Sequence, residues 1–283
     1  MNKTTIARLL GTALLASAAQ AQADITWTFD SAPNSGYTTV DSTSVKQTAG
    51  GVTTTAQGWS NTNNGTAGTS NAALGTTTLS NSGSYKLETA YLSVYDGGIG
   101  TKNRDASSSS SSYGDNSESS SPEHAVDNNQ RYDSVLFSFD SAVDLNKVSL
   151  GYWNNDSDIS VLRYDADDGA ASTTSIAGKT YADLLTSGWN LVSYTDADSG
   201  YTKNLTGDTF SSYWLIGAAN PLLGTANTDG KDHVKILALA GGKYAPPPPP
   251  PPGVPEPGTL LLMGAGLFGL TRIRARRVVR GVA

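Results

Sequence analysis

The chain has 283 residues and no cysteine, which excludes disulfides, thiolate metal sites and a cysteine nucleophile. Its two ends hold seven of the 19 basic residues, so residues 24–253 carry 12 basic and 24 acidic side chains, a net charge of −12. A body this acidic repels nucleic acid and anionic membrane surfaces, which argues against a DNA- or RNA-binding role.

Residues 1–23 have the pattern of a secretory signal peptide. Two basic residues precede the apolar stretch Leu9–Ala19, and Ala21-Gln22-Ala23 then supplies the small-x-small pattern that signal peptidase reads. We predict cleavage after Ala23, with a second acceptable site after Ala21. The exported chain is therefore expected to start near Asp24.

The body, residues 24–245, is rich in Thr, Ser, Asn, Gly and Asp, a mixture that favours strands and turns over helices. Short alternating apolar segments bounded by turn residues predict strands. These lie at Ile25–Phe29, Tyr85–Tyr95, Ser134–Asp140, Val148–Tyr152, Ile159–Tyr164, Trp189–Tyr194, Tyr213–Gly217 and Val234–Ala240. The series predicts a single all-β domain, an antiparallel, jelly-roll-like β-sandwich with long polar loops.

Three segments of the body break this strand pattern. Residues 31–83 have few large apolar side chains, and residues 106–121 form a serine-rich tract. Such polar low complexity buries too little apolar surface to offset chain entropy, so both segments are predicted to be loosely structured. Thr180–Thr186, with apolar residues near helical spacing, predicts a short helix.

A proline-rich linker, residues 246–253, separates the body from a C-terminal tail, residues 254–283. Seven consecutive prolines predict an extended polyproline II segment of roughly 20 Å at about 3.1 Å per residue. The tail then combines the motif Val254-Pro255-Glu256-Pro257 with a short apolar helix and an arginine cluster. That cluster consists of Arg272, Arg274, Arg276 and Arg277, followed by Arg280. Arginines after an apolar run indicate stop-transfer, because Lys and Arg prefer the cytoplasmic side of a membrane.

The apolar run of the tail is short for a permanent anchor. A spanning helix needs about 20 apolar residues, whereas Thr259–Ile273 has fifteen residues that include three glycines and an arginine. An ordinary C-terminal membrane anchor is the alternative interpretation. The sequence favours a transient stay in the inner membrane.

The order of motif, apolar segment and arginine cluster resembles the PEP-CTERM sorting domain of exported bacterial proteins. This resemblance implies processing by the membrane enzyme exosortase and final residence at the cell surface or in an extracellular matrix. In the body, Ser121–Asn128, Asn155–Leu162 and Tyr213–Gly217, together with Asp232–Ile236, resemble the subgroup of exosortase-dependent surface proteins. The subgroup implies a surface location and supplies no catalytic or ligand residues.

Acidic clusters are the candidate metal ligands, because hard cations require several oxygen ligands close together. Asp156 and Asp158, or Glu123 and Asp127, are the candidates for a structural calcium site, although none of the clusters matches an EF-hand. Asp and Asn are also ordinary turn formers, and that interpretation stays open. No other cofactor is predicted.

Aromatic residues and histidines indicate two further functions. Trp59, Trp153, Trp189 and Trp214 suit sugar stacking in a carbohydrate-binding module of an exopolysaccharide matrix, and equally suit a core. His124 and His233 could serve a secreted hydrolase or a transition-metal site. Because no Gly-x-Ser-x-Gly elbow accompanies them, the sequence favours a non-enzymatic surface protein over both alternatives.

Overall fold

The computed structural model describes residues 24–30, 42–63, 85–95, 97–103, 125–128, 131–165, 175–194, 200–206, 209–224, 232–245, 258 and 260–268. The chain divides into two compact units, Met1–Tyr244 and Ala245–Ala283. The predicted signal peptide, the serine tract, the proline run and the sorting motif lie outside the described residues.

The described part of the body consists mostly of strands. In chain order they are β1 (Ile25–Thr28), β2 (Val45–Ala49), β3 (Val52–Asn63), β4 (Lys86–Tyr95), β5 (Gly98–Lys102), β6 (Val126–Asp127), β7 (Asp133–Asn155), β8 (Ile159–Tyr164), β9 (Trp189–Tyr194), β10 (Thr202–Asn204), β11 (Ser211–Ala218) and β12 (Asp232–Lys243). Among the described residues of the body, the helix α1 (Tyr181–Leu185) and a 3₁₀ turn, Pro221–Leu223, interrupt the series.

Strand β7 organises the sheet because its 23 residues serve two different sets of neighbours. Its first half pairs with β3 and β11, and its second half pairs with β12 and β10. Strands β7, β3, β4, β5 and β12 are hydrogen-bonded in that order, and the pairing of β12 with β7 closes them into a five-stranded barrel. All pairings between these strands are antiparallel.

The remaining strands lie outside the barrel. Strands β11, β8 and β9 extend the sheet from β7, while β1 and β6 pair with β12, and β2 pairs with β3. The prediction of an antiparallel all-β body is thus confirmed, but the two-sheet jelly-roll sandwich is not. A strand as long as β7 joins both halves of the sheet and closes the barrel, an arrangement that short, separately predicted strands do not reveal.

The prediction that residues 31–83 are loosely structured is wrong for residues 45–63, which form β2 and β3. The strands are rich in Thr, whose β-branched side chain suits a pleated sheet. On β3, Val52, Thr54 and Ala56 alternate inward and are fully buried. Few large apolar residues are needed here, because β3 lies in the barrel wall with β4 on one side and β7 on the other.

Two clusters of buried apolar residues form the core. The first joins residues of the barrel strands, such as Phe137 and Ile236, to residues of the outer strands, such as Trp27 and Trp214. The second lies around α1, where Tyr181 and Leu184 pack with Trp59, Trp189 and Leu215. Both clusters are made entirely of residues between 25 and 239, so the body has a complete core of its own.

Helix α1 confirms the short helix predicted at Thr180–Thr186. Thr180 caps its first turn by accepting a hydrogen bond from the Asp183 amide, and the Asp183 carboxylate accepts one from the Thr180 amide in return. This reciprocal capping box satisfies two amides that a helix start would leave unpaired.

In the second unit, residues 258 and 260–268 are helical, and their large apolar side chains are exposed. Leu261 and Leu262, for example, are each 77% exposed. Within the described part of the chain, no helix is both long and apolar enough to cross a membrane.

Candidate functional site

A tight turn after β7 brings two aspartates together. Strand β7 ends at Asn155 and β8 starts at Ile159, so Asp156, Ser157 and Asp158 make the connection. The Ser157 amide donates a 2.7 Å hydrogen bond to Asp156 Oδ1. This bond holds the Asp156 carboxylate against the backbone of the turn.

The third acidic residue, Asp232, arrives from the start of β12. Its Oδ1 accepts a hydrogen bond of 3.0 Å from the Asp158 amide, and its Oδ2 accepts one of 2.5 Å from Asn128 Nδ2. Asn128 also accepts a hydrogen bond from the Asp232 amide at 2.8 Å. Oxygens of Asp156, Asp158 and Asp232 thereby lie within 4.8 Å of one another. We call these three residues the acidic cluster.

Burial makes the acidic cluster electrostatically unfavourable. Asp158 and Asp232 are fully buried, and Asp156 is half-buried. Desolvation is the main cause that raises the pKa of Asp232 to about 7, and the neighbouring carboxylates of Asp158 and Asp156 add to it. The hydrogen bonds from Asp158 and Asn128 act in the opposite direction without cancelling the rise.

The cluster can hold a proton or a hard cation, because either one relieves repulsion between carboxylates that lie this close. Of the predicted calcium ligands, the structure brings Asp156 and Asp158 together. It places Asp127 elsewhere, opposite His233 in the pairing of β6 with β12. Glu123 lies outside the described residues.

Sequence reasoning missed Asp232 and Asn128 as members of this site. Asp232 is 74 residues from Asp158, and Asn128 is 104 residues from Asp232. No spacing rule joins such distant positions, and only the pairing of β12 with β6 and β7 brings them together. Asn128 and Asp232 do lie in the segments Ser121–Asn128 and Asp232–Ile236 that resemble the surface-protein subgroup, but that resemblance supplies no ligand residues.

The tryptophans predicted as sugar-stacking candidates are mostly core residues. Trp59, Trp189 and Trp214 are 6%, 1% and 2% exposed. Only Trp153 keeps a partly exposed ring, and it contacts the ring of Tyr201. Among the described residues, the aromatic rings at the surface meet edge to face, so a coplanar platform is not found there.

His233, one of the two histidines, lies in β12 and is 5% exposed. Its strand neighbours across the sheet are Asp127 on β6 and Asn154 on β7. His124 lies outside the described residues. The described geometry thus puts His233 within the sheet and not at the mouth of a cleft.

The stability of the body should depend on pH through Asp232. The folded state keeps the proton of this carboxyl up to a pKa of about 7, whereas the unfolded chain releases it near 3.8. The folded state therefore binds more protons between these values, and the free energy of unfolding falls as pH rises from about 4 to about 7. Asp232→Asn cannot ionise. Between pH 4 and pH 8 its free energy of unfolding, measured by urea denaturation, should therefore rise by roughly 2–4 kcal/mol relative to that of the wild type.

Asp183→Asn is the matched control for this pH series. The Thr180 amide, and then the Thr180 hydroxyl, lower the pKa of Asp183. Its contribution to stability is present above its ordinary pKa and is lost as pH falls, the opposite trend to that of Asp232. Parallel pH profiles for wild type and Asp232→Asn would contradict the assignment.

Comparison with known proteins identifies the tail. The family model of the PEP-CTERM protein-sorting motif matches residues 253–277. The chain therefore carries a PEP-CTERM sorting motif, and the prediction made from the order of its tail segments is confirmed. No curated protein and no solved structure matches the chain.

The motif supports exosortase-type C-terminal sorting of an exported protein and implies exosortase as the processing partner. It also implies that the protein is processed at the membrane. The predicted sorting, stop-transfer and signal-cleavage residues lie outside the described part of the chain. They are Val254, Pro255, Glu256, Pro257, Arg272, Arg274, Arg276, Arg277, Ala21 and Ala23.

Proposed function

We propose that this protein is a non-catalytic component of the bacterial surface or extracellular matrix, delivered there when exosortase removes its tail. The observation that carries the proposal is the PEP-CTERM motif at residues 253–277, placed after a separate folded body. The arginines of the tail hold the chain at the inner membrane until processing, because positive charge stays on the cytoplasmic side.

The construction of the body supports a structural or binding role. Its strands enclose a packed apolar core, and His233, the one described histidine, is 5% exposed. A general base must come within hydrogen-bond reach of its substrate, which so buried an imidazole does not favour. Residence outside the cell agrees with the net charge of −12 over residues 24–253, since this charge favours solubility.

Export is tested at the signal-peptide cleavage site. Ala21→Phe combined with Ala23→Phe places bulky side chains at both predicted sites, where signal peptidase requires small ones, so most of the protein should stay in the membrane fraction as precursor. N-terminal sequencing of secreted wild-type protein should begin at Asp24 or at Gln22. Gln22→Ala, which changes only the position between the two small residues, serves as the control and should be secreted normally. Secreted protein that retains Met1 would refute export by this route.

A further inference from the structure

One exposed aromatic residue of the body lies beside its acidic turn. Tyr201, just before β10, is 59% exposed, and its ring meets that of Trp153 at 6.2 Å between centroids with an interplanar angle of 61°. In an edge-to-face pair the partner covers at most one face of either ring. Trp153 therefore leaves at least one face of the largely exposed Tyr201 ring uncovered.

Backbone hydrogen bonds fix the position of Tyr201. Its carbonyl accepts a 2.8 Å bond from the Leu150 amide, which holds the backbone of Tyr201 against β7. The preceding amide, that of Gly200, donates a 2.8 Å bond to Ser157 Oγ in the middle of the acidic turn. The backbone at Gly200 and Tyr201 is thus held beside the turn that carries Asp156 and Asp158, so it needs little ordering when a ligand binds.

The turn that Gly200 contacts also carries the carboxylate of Asp156. Asp156 Oδ1 accepts the Ser157 amide, while Asp156 Oδ2 has no hydrogen-bond partner among the described residues. The Tyr201 hydroxyl likewise has none within the described ranges. This part of the surface thus combines an apolar ring with a hydrogen-bond acceptor on the neighbouring turn.

We propose that Tyr201, Trp153 and Asp156 form a binding subsite for one pyranose ring of a neutral polysaccharide. The axial C–H face of the sugar stacks on the Tyr201 ring, and its hydroxyl groups donate to the Asp156 carboxylate. Charge selects the neutral class, because the acidic cluster and a body of net charge −12 repel uronic acids and sulfated sugars. This inference rests on the proposed location of the protein outside the cell.

A second exposed tyrosine provides a matched control. Tyr244 is 49% exposed and packs edge to face against Phe210 at 5.4 Å. Phe210 precedes Ser211 and Tyr244 follows Lys243, and Ser211 and Lys243 both pair with Val143 near the middle of β7. Trp153, in contrast, lies near the end of β7. The two aromatic pairs have similar exposure and geometry but different surroundings.

The test is affinity electrophoresis of residues 24–245 in native gels that contain laminarin or dextran, both neutral, or alginate, which is acidic. At least one neutral polysaccharide should retard the wild type, and alginate should not. Tyr201→Ala should raise the dissociation constant at least about tenfold, since it removes the stacking surface. Tyr201→Phe and Tyr244→Ala should stay within about twofold of wild type, and Asp156→Asn should bind several-fold more weakly.

The proposal is overturned if Tyr201→Ala binds as the wild type does, if Tyr244→Ala loses as much affinity, or if no neutral polysaccharide retards the protein. Thermal melts of each variant show whether it is folded, and an exposed Tyr201 can be truncated without opening the core. Failure here would leave export and tail removal untouched, because both are measured on the chain termini.

Discussion

Replacing Glu256 by alanine is expected to leave nearly all of the protein in the membrane fraction, still carrying its arginine tail. Glu256 is the only acidic residue in the tail and lies at the centre of the sorting motif. Without processing, the apolar run stays in the bilayer and the arginines stay in the cytoplasm. Cell fractionation, followed by mass analysis of the membrane-bound form, measures the effect.

The control for this experiment is Pro250→Ala, which changes the proline run just outside the matched residues 253–277. It should be released as the wild type is. A host that lacks exosortase should reproduce the Glu256→Ala result with the wild-type chain. Normal release of Glu256→Ala would contradict the role given to the motif.

Gly98→Ala should unfold the body or destabilise it by at least about 3 kcal/mol. Gly98 starts β5 with a φ of +104°, in the region that favours glycine. A Cβ at this position would overlap the carbonyl group of Ile236 in β12. Strand β5 is joined to β12 in the barrel through the pairing of Ile99 with Ile236. The added Cβ would therefore disrupt the contact between these two barrel strands. Urea denaturation of residues 24–245 gives the change in the free energy of unfolding.

Two glycine controls separate backbone strain from the clash. Gly178 has a φ of +72° with nothing within 4 Å of an added Cβ, so Gly178→Ala should cost only about 1 kcal/mol. Gly242 has neither the positive φ nor a neighbour, and Gly242→Ala should be close to neutral. A Gly98→Ala variant as stable as Gly178→Ala would show that β5 and β12 do not approach this closely.

Local sequence patterns predicted the elements of the body better than their arrangement. The alternation in Ser134–Asp140 revealed part of β7, and apolar residues at helical spacing revealed α1. The sequence pattern did not predict the Thr-rich strand β3, because its inward positions include Thr54 and Ala56 instead of large apolar side chains. Weak hydrophobicity is sufficient for a strand whose neighbours supply the bulk of the core.

Barrel closure and the acidic cluster could not be predicted, because both depend on pairings between distant segments. Strand β12 returns to β7 after some 80 residues of intervening chain and brings Asp232 to the turn that holds Asp156 and Asp158. The tail was predictable for the opposite reason. Its motif, apolar run and arginines are contiguous, so their order alone carries the information.

The intact mass of wild-type protein released from the cell surface tests the central claim most directly. Export and exosortase processing predict a chain that starts near Asp24 and has lost the apolar run and every arginine after it, with the new C-terminus near Pro255-Glu256-Pro257. Released or surface-held protein whose C-terminus is still Ala283 would contradict sorting by tail removal and would show that the tail is a permanent anchor.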